Sequence, residues 1–493
     1  MYKIKLSPFL RDLLTTSFTS FSVTLSLIFV TQFLAKGLGP EEFGAYSLAR
    51  RLVANTAPFV ILSMGVSLRR YVAMSDDKIE QASYIISSLI ATGSMLIVFL
   101  VASVLAGNQL SHLIFQKEAY TGLYYSSLFF IGGYCIWVIT SSFLFGMQKI
   151  QKANVLQLLI VALLPLLITF VFAKEKNAAW ILACMGIGYW LSFFVLISEI
   201  IKIRGVSLKG ISTSFLTLIR YGVPRIPGDF AFAGLFTLGP FLASYFGSLK
   251  DAGFFVIGQY VFRIMEAGII AFGMVALPKI AQWVAKGKDA YLKENIENLL
   301  IMIFQLGIFL TVHAFLWSKE ILLFWLGPDY FGAVPVMRIL IIALAPYLGY
   351  VMLRSVVDAV EVRAINTLNL FVSLSVAAAI SIILQYAGLG MIGLAMGSAI
   401  GFSTLGILTS CYLIRRYTIS FDNFLVFKVF ILNTLLGVSA FFAKQFFIIK
   451  FSQYNVLVPG FFVEVMIFLL YAYYLYRKDV PWILGIKRRV ING

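Results

Sequence analysis

The chain has 493 residues, 60% of them hydrophobic and 12% charged, with a net charge of +17 and a mean hydropathy of +0.93. A soluble globular chain carries about 25% charged residues, so composition excludes a soluble multidomain enzyme. Apolar stretches recur from end to end, the pattern of an all-α polytopic membrane protein.

The N-terminus "MYKIKLSPFLRD" is basic and leads into an apolar run over 13–35. That run is too long for a signal-peptide core and no small-residue cleavage site closes it, so it reads as a retained first transmembrane helix. A transmembrane helix needs about 20 mostly apolar residues. On that criterion the sequence predicts fourteen spans, at 13–35, 44–67, 84–106, 121–145, 153–173, 178–201, 214–246, 252–277, 296–317, 333–356, 366–386, 391–414, 424–443 and 456–476. Pro58, Pro224, Pro227, Pro240, Pro335 and Pro346 fall inside spans or at their ends. They read either as bending points for alternating access or as fixed kinks.

The basic residues orient these spans. With the N-terminus in the cytoplasm, 25 Lys and Arg lie on the cytoplasmic side, eight on the outer side and six within spans. That asymmetry is the positive-inside pattern, and an even span count puts both termini inside. The net positive charge therefore answers to orientation and to anionic lipid headgroups rather than to nucleic acid. External loops are too short for a folded catalytic domain. The largest internal loop, "PKIAQWVAKGKDAYLKEN" from Pro278, mixes apolar residues with lysines and reads either as an interfacial segment or as a solvated linker.

Cys135, Cys184 and Cys411 sit in apolar stretches, and their spacing supports neither a disulfide framework nor a zinc site. The two histidines are far apart in sequence, His112 in an expected loop and His313 in an expected helix. No metal and no cofactor is expected.

The chain also repeats itself. "LAKGLGPEEFGAY" from Leu34 resembles "LASYFGSLKDAGFF" from Leu242. At an offset of 209, "VSLRR" from Val66 aligns with "VALPK" from Val275, and at 212 "NVLQL" from Asn154 aligns with "NTLNL" from Asn366. Each repeat holds an even number of spans, so the repeats run parallel, related by a pseudo-twofold axis along the membrane normal. The expected domains are a six-helix bundle over 1–205, a second over 206–418, and two further spans with a basic tail over 419–493.

Charge within spans is costly, from about 3 kcal/mol upward, and marks a cavity or a partner. Arg51, Asn55 and Pro58 share one face of the second span, and Gln259, Arg263 and Glu266 share one face of the eighth, its repeat partner. Tyr221, Arg225 and Asp229 do the same in the seventh span, and Thr15, Thr19, Ser22 and Ser26 in the first. Stripes on repeat-related helices most simply face one wet central cleft. Arg50 and Arg51 have no acid close by on their helix. Arg225 with Asp229 and Arg263 with Glu266 have the spacing of local ion pairs. Arg338, Lys428 and Glu464 are expected to snorkel or to pair locally.

The first-loop pattern "LGPEEFGAYSLARRL", the seventh-span entry "IRYGVPRIPGDF" and the layout of six, six and two spans resemble the polysaccharide (O-antigen) flippases of the multidrug/oligosaccharidyl-lipid/polysaccharide (MOP) exporter superfamily. The resemblance covers essentially the whole chain. It implies a MATE-like fold without catalysis, in the bacterial cytoplasmic (inner) membrane. It implies a flippase moving an undecaprenyl-diphosphate-linked oligosaccharide to the outer leaflet, with membrane lipids, H+ or Na+, and a polymerase with its chain-length machinery as partners. Many relatives carry an acid–arginine pair late in the seventh span, where this chain has Leu238, Gly239 and Pro240. Arginine's planar fork suits a diphosphate, so Arg50, Arg51, Asn55, Arg225, Gln259 and Arg263 are candidate substrate-binding residues. Asp229 and Glu266 are candidate ion-coupling groups. A multidrug exporter of the same superfamily is the alternative, but four arginines against two acids disfavour an organic cation. A membrane-embedded glycosyltransferase or polymerase would need catalytic carboxylates beside a long external loop.

Overall fold

The computed structural model describes residues 8–203, 210–266, 289–361, 363, 365–420, 423–450 and 457–477. Residues 278–288 of the Pro278 loop, the C-terminal half of the eighth span, the "VALPK" repeat and the expected boundary at 205/206 lie outside these residues, while the last seven residues of that loop open a helix from Asp289. Among those described, every regular element is helical and no strand occurs. The chain divides into two compact units, Met1–Val256 and Ile257–Gly493.

The first unit is built from α1 (Pro8–Ile61), α2 (Met64–Met74), α3 (Lys78–Leu105), α4 (Gly107–Phe115), α5 (Thr121–Gly146), α6 (Ile150–Gln157), α7 (Leu164–Phe172), α8 (Ala178–Ile201), α9 (Ile211–Gly222), α10 (Ile226–Phe246) and the start of α11 (249–266). The second continues with α12 (Asp289–Leu326), α13 (Ala333–Ile342), α14 (Leu344–Val360), α15 (Ile365–Leu384), α16 (Gly390–Arg416), α17 (Asn423–Lys450) and α18 (Leu457–Arg477).

Nine helical stretches among the described residues are long and apolar enough to cross a membrane, or ten with the α13–α14 pair, which bends by 56°. Two of the nine, Thr15–Ile61 and Ile365–Arg416, each hold two expected spans. With α18 and the described part of α11, the fourteen expected segments are all helical. α1 shows why two spans merge. Its 54 residues would extend about 80 Å at 1.5 Å per residue, far beyond a hydrocarbon core of about 30 Å. Gly39, with φ 79° and ψ 169°, breaks it, and Pro40 opens the second half. Glycine adopts that conformation without a Cβ clash, and proline suits the first turn of the helix that follows.

The 209-residue repeat has a physical counterpart inside the first unit. Gly44 and Gly253 are equivalent at that offset, and their backbones meet. A Cβ on Gly44 would fall 1.8 Å from the Leu249 carbonyl oxygen, and one on Gly253 would fall 2.4 Å from that of Pro40. Small residues allow such backbone approach between membrane helices.

Two expectations change here. His112 lies in α4, where its carbonyl accepts the Gln116 amide at 2.8 Å, rather than in a loop. Two members of the Ser and Thr stripe of the first span bond within the first unit: Ser26 Oγ donates to the Ala162 carbonyl in the π-helical turn between α6 and α7 (2.7 Å), and Thr15 Oγ1 accepts from Asn154 Nδ2 (3.5 Å). A π turn leaves carbonyls out of regular register, and the serine hydroxyl satisfies one.

In the second unit α17 and α18 are tied to α12 through buried polar groups. His313 Nδ1 lies 2.5 Å from Glu464 Oε2. Trp317 Nε1 donates to the other oxygen of Glu464. Lys444 pairs with Glu320 at 2.7 Å, both buried. Glu464 therefore pairs across helices far apart in sequence, not locally. Arg338 Nε donates to Ser318 Oγ at 3.0 Å.

Candidate functional site

The adjacent arginines of α1 point to different helices, as a turn of about 100° per residue requires. Arg50 lies over the Phe130 ring, 4.6 Å from its centroid. Phe130, Tyr134 and Trp137 of α5 all pack on Tyr189 of α8, with centroids 5.0, 5.9 and 5.6 Å away. Arg50 thus stacks on one ring of an aromatic cluster, a contact worth about 0.5–2 kcal/mol. Arg51 turns to α10, where Nη1 donates to the Phe236 carbonyl. Proline has no N–H and cannot donate to the carbonyl four residues earlier; for Pro240 that carbonyl is Phe236. Asn55 Nδ2 bonds the Arg51 carbonyl at 2.8 Å and also reaches Thr237 Oγ1. Arg51 and Asn55 thus clasp α10 where its own ladder is broken.

Beyond Pro58, the second span ends at Leu62 and Ser63, both left-handed with φ 52° and 50°. Non-glycine residues held there cost of order 1–3 kcal/mol each. The turn is held from two sides. Its Leu62 carbonyl packs on Gly222, where a Cβ would come within 2.4 Å, and Ser63 Oγ donates to Asp229 Oδ2 at 2.8 Å. Among the described residues no ion pair joins Arg225 to Asp229, although the spacing allows one. Arg225 instead donates to the Tyr221 carbonyl at 2.6 Å and stacks 3.7 Å from the Tyr221 ring centroid. Pro224 and Pro227 set this local geometry, because a 3₁₀ turn (Val223–Arg225) replaces the α-helix between α9 and α10.

Arg70 of α2 approaches the same ring, 4.8 Å from its centroid, and donates to the Tyr221 hydroxyl at 2.9 Å. That hydrogen bond, and then the charge of the phenol, raise the Arg70 pKa above its ordinary value. Arg70 and Arg225 are exposed. Two guanidinium groups thus share one tyrosine beside Asp229. Sequence reading counted Arg70 only as a cytoplasmic-side charge. Its neighbour Tyr71, packed edge-on to Tyr221 at 5.7 Å, was the available signal.

The second unit carries the remaining residues. Gln259 and Glu266 are buried and Arg263 is exposed. Arg263 Nη1 lies 3.5 Å from Glu266 Oε2, the local pair that the spacing allowed. The Tyr347 hydroxyl donates to the same oxygen at 3.2 Å. Tyr347 is itself packed by Phe262 and Phe402, with centroids 4.9 and 5.3 Å away. Glu266 therefore has a cationic and a neutral donor at once.

No family model and no curated protein matches the sequence. Solved structures do match the fold. The lipid II flippase MurJ, in an inward closed conformation, is similar over 94% of this chain and 98% of its own, with a TM-score of 0.69 at 16% identity. An inward-facing MATE-family multidrug resistance transporter of the MOP superfamily is similar over 82% of this chain and 98% of its own, at 0.68 and 14%. An outward-facing one is similar over 83% and 95%, at 0.58 and 15%. The chain has the fold of the MOP-superfamily transporters. It is a multi-pass membrane protein, and this fold serves both a lipid flippase and multidrug transporters.

Proposed function

We propose that the protein is a flippase that carries an undecaprenyl-diphosphate-linked oligosaccharide repeat unit from the cytoplasmic to the outer leaflet of the bacterial cytoplasmic membrane, by alternating access, for surface polysaccharide assembly. The fold alone leaves lipid flipping and drug export open, because MurJ and the MATE transporters share it. The observation that favours flipping is the pair of exposed guanidinium groups, Arg70 and Arg225, on the Tyr221 ring. Arginine forks bind phosphate oxygens bidentately, and an aromatic face suits a sugar. An organic cation would meet like charge at this point.

In this reading Arg50, Arg51, Asn55, Gln259 and Arg263 line or shape the anion path. Asp229 and Glu266 couple transport to H+ or Na+. Both termini lie in the cytoplasm, and a polymerase with chain-length machinery takes the product. The segments 1–205 and 206–418 act as the two moving bundles, and 419–493 as an appended pair.

The test is transport in proteoliposomes. Undecaprenyl-diphosphate-linked oligosaccharide is expected to become accessible on the far leaflet in a protein-dependent manner. Efflux of a lipophilic organic cation with no movement of the lipid-linked sugar would instead establish the drug exporter.

A further inference from the structure

A second cationic site lies away from these arginines, at the end of the first unit that the charge pattern assigns to the cytoplasm. Glu199, near the end of α8, is buried, with a side chain 1% exposed. A buried carboxylate has to be paired, and one ammonium group would neutralise it. Three reach it. Lys149 bonds Oε2, Lys152 bonds Oε1, and Lys202 bonds Oε1 at 3.0 Å. They come from separate places: Lys149 just before α6, Lys152 in its first turn and Lys202 just after α8. The surplus of charge is concentrated where the chain folds back on itself.

Beside them opens a cavity of about 430 Å³, lined among others by Lys78, Gln148, Lys149, Glu199 and Lys202. Lys78, at the start of α3, makes no ion pair or hydrogen bond among the described residues. Asp76 is the other acid on the wall. Three lysines on the wall, Lys78, Lys149 and Lys202, therefore face two carboxylates around a space large enough for a small anion, and Lys152 adds a further positive charge on Glu199. Like charges gathered at one point repel, and an anion bound between them lowers that cost.

We propose that this cavity binds a phosphate group, supplied either by the headgroup of an anionic lipid of the adjacent leaflet or by free phosphate. Lys78, Lys149 and Lys202 hold it, and Glu199 sets the positions of the lysines while partly competing with the ligand. The site is independent of the cargo and of the flippase reading.

The experiment uses the full-length protein purified in detergent. Native mass spectrometry measures retention of phosphatidylglycerol against phosphatidylcholine of the same acyl chains, and calorimetry measures binding of inorganic phosphate. Phosphatidylglycerol is expected to be retained preferentially, and Lys78→Gln, Lys149→Gln and Lys202→Gln each to weaken it about fivefold, the contribution of one basic residue near an anionic surface. Glu199→Gln is expected to strengthen it, because the competing carboxylate is gone. Phosphate binding with the same variant pattern, without a lipid preference, identifies free phosphate as the source. Lys78 has no partner to lose, so Lys78→Gln reports on the site without a folding defect. Absence of both ligands in the wild-type protein overturns the proposal. So does equal binding by Lys78→Gln and by a stably folded Lys149→Gln, Lys202→Gln double variant.

Discussion

Arg51 donates to the carbonyl of Phe236, the one acceptor in α10 that Pro240 leaves without its helical donor. A charge in the membrane-spanning region and a proline inside a helix, each costly alone, offset one another. The pair gives Arg51 a structural task that its neighbour Arg50 does not share.

This relationship predicts a compensating pair of mutations. Arg51→Ala should lower stability by about 1–3 kcal/mol, the cost of an unsatisfied buried carbonyl. Arg51→Ala with Pro240→Ala should recover most of that loss, since alanine restores the N–H. Thermal unfolding of the purified variants checks this. An equal loss in the single and double variants would show that the contact carries no stability of its own. If Arg51 also contacts cargo, surface glycan display by the double variant in a flippase-null strain stays low although stability returns.

The shared tyrosine gives a second expectation. Arg70→Ala and Arg225→Ala should each cut glycan display at least tenfold at unchanged membrane levels. Lysine at either position should rescue poorly, because a point charge replaces a planar fork. Tyr221→Phe keeps the stacking and loses only the Arg70 hydrogen bond, so its loss should be smaller than that of Tyr221→Leu. Full display from a well-inserted Arg70→Ala, Arg225→Ala double variant would remove this site from the transport path.

The carboxyl groups give a third. Asp229 is held by the Ser63 hydroxyl and Glu266 by Arg263 and Tyr347. Asp229→Asn and Glu266→Gln, singly and together, are expected to change how transport depends on the pH or Na+ gradient while leaving cargo binding in place. Transport initial rates under imposed gradients decide it. An unchanged ion dependence would leave both acids as structural partners.

The glycine contact gives a fourth. Gly44→Val places a side chain against the Leu249 carbonyl, only 1.8 Å from the position of its Cβ. The backbones must separate, so a stability loss of about 1–3 kcal/mol is expected from overpacking alone. Gly93→Ala, where a Cβ meets nothing within 4 Å in the interior of α3, is the control and should cost nothing or stabilise slightly. Equal melting temperatures for the two variants would contradict the contact.

Sequence by itself determined the class of the protein and the number of its apolar segments, because hydrophobic length is a local property that bilayer thickness translates directly into spans. It also marked which charges are expensive. Arg50, Arg51, Arg225, Arg263, Asp229 and Glu266 stand out because an ionised side chain in a span needs a partner, whatever the fold. The repeat was legible too, and Gly44 with Gly253 gives it a physical contact. Only the tertiary structure decided what each partner is. Neighbouring residues on a helix diverge by about 100°, so Arg50 and Arg51 went to different helices. Spacing at i+4 permits a pair but does not compel it. Arg225 took the Tyr221 ring and Asp229 took Ser63, while Arg263 and Glu266 did pair. Glu464 found His313 and Trp317, and Glu199 gathered three lysines from separate turns. Such contacts depend on which helix lies beside which. That order is set by close packing of small residues and by backbone groups freed at prolines and π turns, which no periodicity along the chain records.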